Sequence, residues 1–182
     1  MGQLNPTLWR TCRALTGRTR LGLLRHILDQ PGLNVSQLAE RLETGISDAS
    51  QELRRLQSRG LLKRSCQGAS VVYLPFPDPQ VPSAEPLLKA LQVAWNGNRG
   101  GNEEIALLAK GLASERRVSI VRTLLQGPRI AAELSDLVRI GPDNLKKHLR
   151  ILRETGWVAK AGNAFVLRPA THPVQSALLK LL

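Results

Sequence analysis

Apolar residues along this chain recur mostly at helical spacing. Leu145, Leu149 and Leu152 stand at i, i+4, i+7, while Val174, Ala177, Leu178, Leu181 and Leu182 stand at i, i+3, i+4, i+7, i+8. Such spacings put the side chains on one stripe of a helix and leave the rest polar. Two short runs, 157–160 and 164–167, flank Ala161, Gly162 and Asn163 and predict a hairpin. The C-terminal half is therefore expected to run as a helix over 103–112, a second to about residue 126 capped by Ser114, and a short third over 130–138. That third helix should turn Leu134, Leu137 and Val138 inward. A tight turn at Arg139, Ile140 and Gly141 leads into a fourth helix, opened by Pro142, whose missing N–H costs nothing there. Gly156 ends it in a left-handed cap. The hairpin follows, then a last helix opened by Pro173.

The N-terminal half reads the same way. Helices are expected over 7–15, 18–28, 35–42 and 46–58, strands over 61–64 and 71–74 around a loop at 65–70, and a last helix over 87–95. The likeness extends to residue identities. Leu15, Arg20, Arg25 and Leu28 match Leu112, Arg117, Arg122 and Leu125 at an offset of 97; Leu38, Gly45, Leu53, Arg54, Leu56 and Gly60 match Leu134, Gly141, Leu149, Arg150, Leu152 and Gly156 at 96. The one-residue change falls at a turn, where insertions cost least. Matches that follow a core pattern mark an internal repeat. Between the copies, Pro75, Pro77, Pro79, Pro82 and Pro86 forbid one continuous element. The Gly- and Asn-rich stretch 96–102 reads as a flexible linker. Residues 1–95 and 103–182 are then two domains.

Composition adds a partner class. Aromatics make up 3% of the chain, so Leu, Val, Ile and Ala must fill the cores, and the formal net charge is +12. A surplus of that size implies a polyanion. No apolar run approaches the ~20 residues of a membrane span, and residues 1–6 show no signal-peptide pattern, so a cytoplasmic protein is expected.

Two helices joined by a tight turn, followed by a hairpin and flanked by outer helices, resemble the ArsR-type winged helix-turn-helix regulators. The segment KKHLRILRETGWV (146–158) is very similar to that family's recognition helix; SQELRRLQSRGLL (50–62) is looser. The upstream family pattern is visible in ALTGRTRLGLL (14–24) and GLASERRVSIV (111–121). The fold class implied is mainly α with short β-hairpins, as two tandem winged helix-turn-helix domains. The resemblance implies a DNA-binding transcription regulator, more often a repressor, with double-stranded DNA as partner.

The residues support that reading. With Leu145, Leu149 and Leu152 buried, the fourth helix of the second copy presents Asp143, Asn144, Lys146, Lys147, His148, Arg150 and Arg153. Lys and Arg donate to guanine edges or phosphates, and Asn pairs with adenine. The same face of the first copy carries Ser47, Asp48, Ser50, Gln51, Arg54 and Arg55. There Asp48 and Glu52 should repel phosphates and Arg54, Arg55 and Arg59 attract them. In the hairpins, Lys63 and Arg64 precede a loop long enough to reach flanking DNA, and Lys160 stands in the tighter second one. Basic helix faces also occur simply as solvated surface; the preceding short helix and turn favour a reading helix.

Family members usually dimerise through first and last helices. Here Leu87, Leu91 and Trp95 face the same need for burial as Val174, Leu178 and Leu181, so the copies are expected to pack as an intramolecular pseudo-dimer, with a homodimer as the alternative. No cofactor or metal site is expected: the third helices carry no Cys or His, and His172 stands alone near the last. Cys12 and Cys66 are assigned to separate elements, and core filling is the default for Cys12. No nucleophile with a base and no Gly-rich phosphate loop is apparent, so an enzyme is not expected. A protein-interaction module without direct DNA reading is the alternative function.

Overall fold

The computed structural model describes residues 7–68, 70–97 and 101–182. The first copy comprises α1 (Leu8–Ala14), α2 (Arg18–Asp29), α3 (Val35–Arg41), α4 (Ile46–Gln57), β1 (Lys63–Gln67), β2 (Ser70–Leu74) and α5 (Ala84–Asn96). The second comprises α6 (Asn102–Leu112), α7 (Glu115–Leu125), β3 (Arg129–Ile130), α8 (Ala131–Val138), α9 (Pro142–Glu154), β4 (Val158–Ala161), β5 (Ala164–Leu167) and α10 (Pro173–Lys180). Part of the expected linker, 98–100, lies outside the described residues; Asn96 still belongs to α5 and Asn102 already to α6.

Each helix pair is set by a short turn with one residue at positive φ. In the second copy Arg139 takes the left-handed conformation (φ 52°). The turn is closed twice: Ser135 Oγ donates to the Ile140 carbonyl at 2.6 Å, and the Ile140 N–H donates to the Ser135 carbonyl at 3.0 Å. Ile140 is buried and anchors the turn in the core. In the first copy Glu43 (φ 49°) plays the part of Arg139, and the Thr44 N–H donates to the Ala39 carbonyl. Gly60 (φ 70°) and Gly156 (φ 78°) follow the ends of α4 and α9 at matching places in the repeat, in a conformation that a side chain disfavours.

Three expectations are corrected. Leu137 is 60% exposed, because Leu134 and Val138 complete the inward stripe of α8 and Leu137 lies beside it. The loop read at 65–70 is largely strand: Ser65 pairs with Val72, Cys66 with Val71 and Gln67 with Ser70. Its polar residues look like loop because β1 is solvent-facing. A third strand, β3, joins β5 to give the order β3-β5-β4; two residues carry no readable period. In the first copy a single bridge, Asn34 to Val72, stands in its place.

Buried residues of both copies form one continuous cluster. Between the copies α1 packs against α6 and α5 against α10, equivalent elements in each case, and α2 also packs against α6. Leu87, Leu91, Val174 and Leu178 are fully buried and Trp95 nearly so, while Leu181 is partly buried. Trp95 Nε1 donates to Asn102 Oδ1 at 3.0 Å, tying α5 to the start of α6.

Core packing differs between copies in a compensated way. Trp157, 1% exposed, donates from Nε1 to the Leu108 carbonyl at 2.9 Å. Its ring fits because residue 111 is glycine: a Cβ there would lie 2.2 Å from Trp157 Cδ1. The equivalent positions of the first copy hold Ala14 and Leu61, a larger residue on the helix against a smaller one at the strand. Volume moved across the contact without changing the architecture.

Candidate nucleic-acid interface

On α9 the stripe Leu145, Leu149 and Leu152 is buried, so geometry forces the intervening positions outward. Asn144, Lys146, Lys147, Arg150 and Arg153 are all exposed. Lys146 Nζ lies 3.8 Å from Asp143 and Arg150 Nε 3.7 Å from Glu154. These pairs are long and solvent-exposed, so they hold the cations only weakly. Lys147, Arg153 and Lys160 meet no carboxylate within ion-pair distance among the described residues.

Between α8, α9 and the second hairpin lies a groove of about 760 Å³. Ala131, Ala132, Leu149 and Phe165 floor it, and Lys146, Arg150, Arg153 and Lys160 rim it. Basic residues of α9 and of the second hairpin thus line one groove, together with Asp136 of α8. A neighbouring groove of about 540 Å³ adds Arg168 to Arg150, Arg153 and Lys160. Sequence reasoning missed Arg168, which follows β5 and reaches this face because its N–H donates to the Trp157 carbonyl.

His148 departs from expectation. It is half-buried on the flank of α9 that faces α7, and its Nδ1 is buried without a hydrogen-bond partner. Burial, then the nearby Arg117 and Arg116, push its pKa below the ordinary 6.5. A neutral ring turned inward is not part of the outward face. Its period explains this: residue 148 lies beside Leu145 and Leu152, not opposite them.

In the first copy Ser47, Gln51, Arg54 and Arg55 are exposed on α4, with Ser50 half-buried. Lys63 and Arg64 are exposed on β1. Glu52, expected to repel phosphates, occupies the place of His148 and is engaged by two arginines. It is drawn in by Arg20, whose Nε lies 3.2 Å from Oε2, and it also pairs with Arg55. Arg20 rests over Gly17, where a Cβ would come within 2.4 Å of its Nε. Burial lowers the Arg20 pKa, and Glu52 opposes that shift.

Among the described residues no group of three His, Cys, Asp or Glu side chains could hold a metal, and no helix is long and apolar enough to cross a membrane. Residues 15–69 match the MarR family. Residues 114–160 match the bacterial regulatory protein, arsR family. The halves of one repeat thus match two different family models, and the looser helix of the first copy accords with the difference. No curated protein matches the sequence. With α3–α4 and α8–α9 as its helix pairs, the chain carries one segment similar to the MarR family and one similar to the arsR family in tandem, which supports a DNA-binding transcription regulator.

Proposed function

We propose that the chain is a repressor that reads the major groove of one duplex through α4 and α9, held as the two halves of an intramolecular pseudo-dimer. The observation that carries this is the convergence of Lys146, Arg150, Arg153 and Lys160 around one groove beside a helix whose opposite stripe is buried. A major groove admits one α-helix, and Lys and Arg donate to guanine edges and phosphates there. Asn144, Lys147, Ser47, Ser50, Gln51 and Arg54 supply the remaining base-edge or phosphate donors on the two helices, and Lys63 and Arg64 contact the backbone from the first wing. The pairing of first helix with first helix and last with last supports the pseudo-dimer, because two-fold interfaces bring the same patch of each half together. Leu87, Leu91 and Trp95 against Val174, Leu178 and Leu181 are its apolar contacts. The unequal faces of α4 and α9 fit an asymmetric site. As a repressor, the protein excludes other proteins from that site.

Titrating a duplex against the protein at several salt concentrations tests the reading. Affinity should fall with salt at a log–log slope near −0.9 per phosphate neutralised, and Lys147→Ala with Arg150→Ala should reduce both affinity and slope. Absence of duplex binding at low salt would leave the protein-interaction module as the better account.

A further inference from the structure

We infer that the arginine cleft of the first copy, between α1, the start of α2 and the end of α4, is a second phosphate-binding surface that grips the backbone of the same duplex on the side of α4 away from the wing. The inference rests on the DNA-reading function proposed above and adds a contact that neither helix face nor wing contains.

Five guanidinium groups, those of Arg10, Arg13, Arg20, Arg55 and Arg59, line a cleft of about 410 Å³ beside Trp9. One carboxylate meets them: Glu52 pairs with Arg20 and Arg55. Arg10, Arg13 and Arg59 have no carboxylate within ion-pair distance among the described residues. Arg10 instead lies over the Trp9 ring, 4.9 Å from its centroid, which orients it without neutralising it. Like charges gathered this closely repel in the free protein, and a bound polyanion relieves that repulsion.

The second copy shows that the fold does not demand this cluster. By the repeat offsets, the positions of Arg10, Arg13, Arg55 and Arg59 are held there by Leu107, Lys110, Ile151 and Thr155. Only the arginine at position 20 is kept, as Arg117, which donates to the Gly111 and Lys110 carbonyls. Leu107, Ile151 and Thr155 carry no charge, so the fold does not require a base at three of the five positions, while Lys110 keeps one at the position of Arg13.

Placement selects the ligand. Arg55 lies in the last turn of α4, about 100° round the helix from Arg54, and Arg59 follows just past the end of that helix. A helix seated in a major groove roughly 12 Å wide lies between two phosphate backbones. Lys63 and Arg64 of the wing do not line the arginine cleft, so the two are separate basic surfaces, and on this proposal the wing serves one backbone and the cleft the other. Such contacts set register and affinity without reading sequence. They compensate for the few base-reading cations on α4.

The test uses the full chain and a mixed-sequence 30-base-pair duplex. Arg10→Gln, Arg13→Gln and Arg59→Gln together should lower the log–log salt slope by about 2 to 3, at about 0.9 per phosphate, with preference among duplex sequences unchanged. Should the triple variant fail to fold by circular dichroism, Arg13→Gln alone, on an exposed position of α1, should lower the slope by about 1. A slope unchanged in a folded variant, with wild-type binding intact, overturns this surface and leaves the reading helices standing; loss of all wild-type duplex binding overturns both. Inorganic tripolyphosphate gives the second arm. If it binds wild type, is lost in the variant, and the duplex slope stays the same, the cleft serves a free phosphate ligand and the duplex assignment is overturned.

Discussion

Arg20 Nε sits 3.2 Å from the Glu52 carboxylate in the first copy, and the same two positions in the second copy hold Arg117 and His148. One interhelical contact has thus been solved twice. In the first copy an acid neutralises the arginine. In the second the arginine turns to the carbonyls of Gly111 and Lys110, at 2.7 and 2.8 Å, and its neighbour is an uncharged imidazole. The difference decides how α4 is held against α2 and α9 against α7.

Glu52→Gln should destabilise the first copy by about 1 kcal/mol, within the range for a partly exposed ion pair. It leaves Arg20 beside Arg55 with no carboxylate between them. Urea unfolding at low and high salt measures the effect, which should shrink as salt screens the repulsion.

His148 supplies a pH dependence whose sign is fixed. Its pKa is lowered in the fold, so the unfolded chain binds the proton first. Stability is full above the ordinary value near 6.5 and falls as pH drops from there through the folded pKa. In His148→Gln that part of the slope should vanish. Denaturant midpoints at closely spaced pH values from neutral downward check it; an unchanged slope sinks the assignment.

Gly111→Ala should cost about 1–3 kcal/mol, as overpacking does. The added Cβ meets Trp157 at 2.2 Å and Thr155 Oγ1 at 2.7 Å, and the ring is held by its bond to the Leu108 carbonyl. Pairing it with Trp157→Leu, which recreates the combination of the first copy, should recover much of the loss. A thermal melt of the single and double variants decides this.

The thiols should separate cleanly. Cys12 is buried, and burial pushes its pKa up to about 12, so it holds no reactive thiolate at neutral pH. Cys66 is exposed on β1. One equivalent of a thiol reagent should react with the native protein and two with the unfolded one. Reaction of two in the native state contradicts the buried placement of Cys12.

The helices were legible because buried stripes impose a period. Leu145, Leu149 and Leu152 announced α9 and the direction of its charged face in the same stroke. Repeat matching carried the reading to the first copy, where α4 has Ala49, Leu53 and Leu56 at the same spacing. What escaped lacks a period or depends on partners far along the chain. β3 has two residues. The strand character of Ser65, Cys66 and Gln67 comes from pairing across the hairpin, not from apolar alternation. Glu52 read as a repelling acid because Arg20, thirty-two residues earlier, was not seen to reach it. Arg10 and Arg13 on α1 and Arg59 just past the end of α4 are far apart in sequence and meet only in the folded chain.

Stoichiometry on DNA bears most directly on the reading as a whole. Native mass spectrometry of the 20.0 kDa chain with a duplex recovered by selection should give one chain per duplex. Gln51→Ala with Arg54→Ala on α4, and Lys147→Ala with Arg150→Ala on α9, should each weaken that complex. Two chains per duplex, or full affinity after loss of either helix's donors, would contradict a single chain reading with both of its halves.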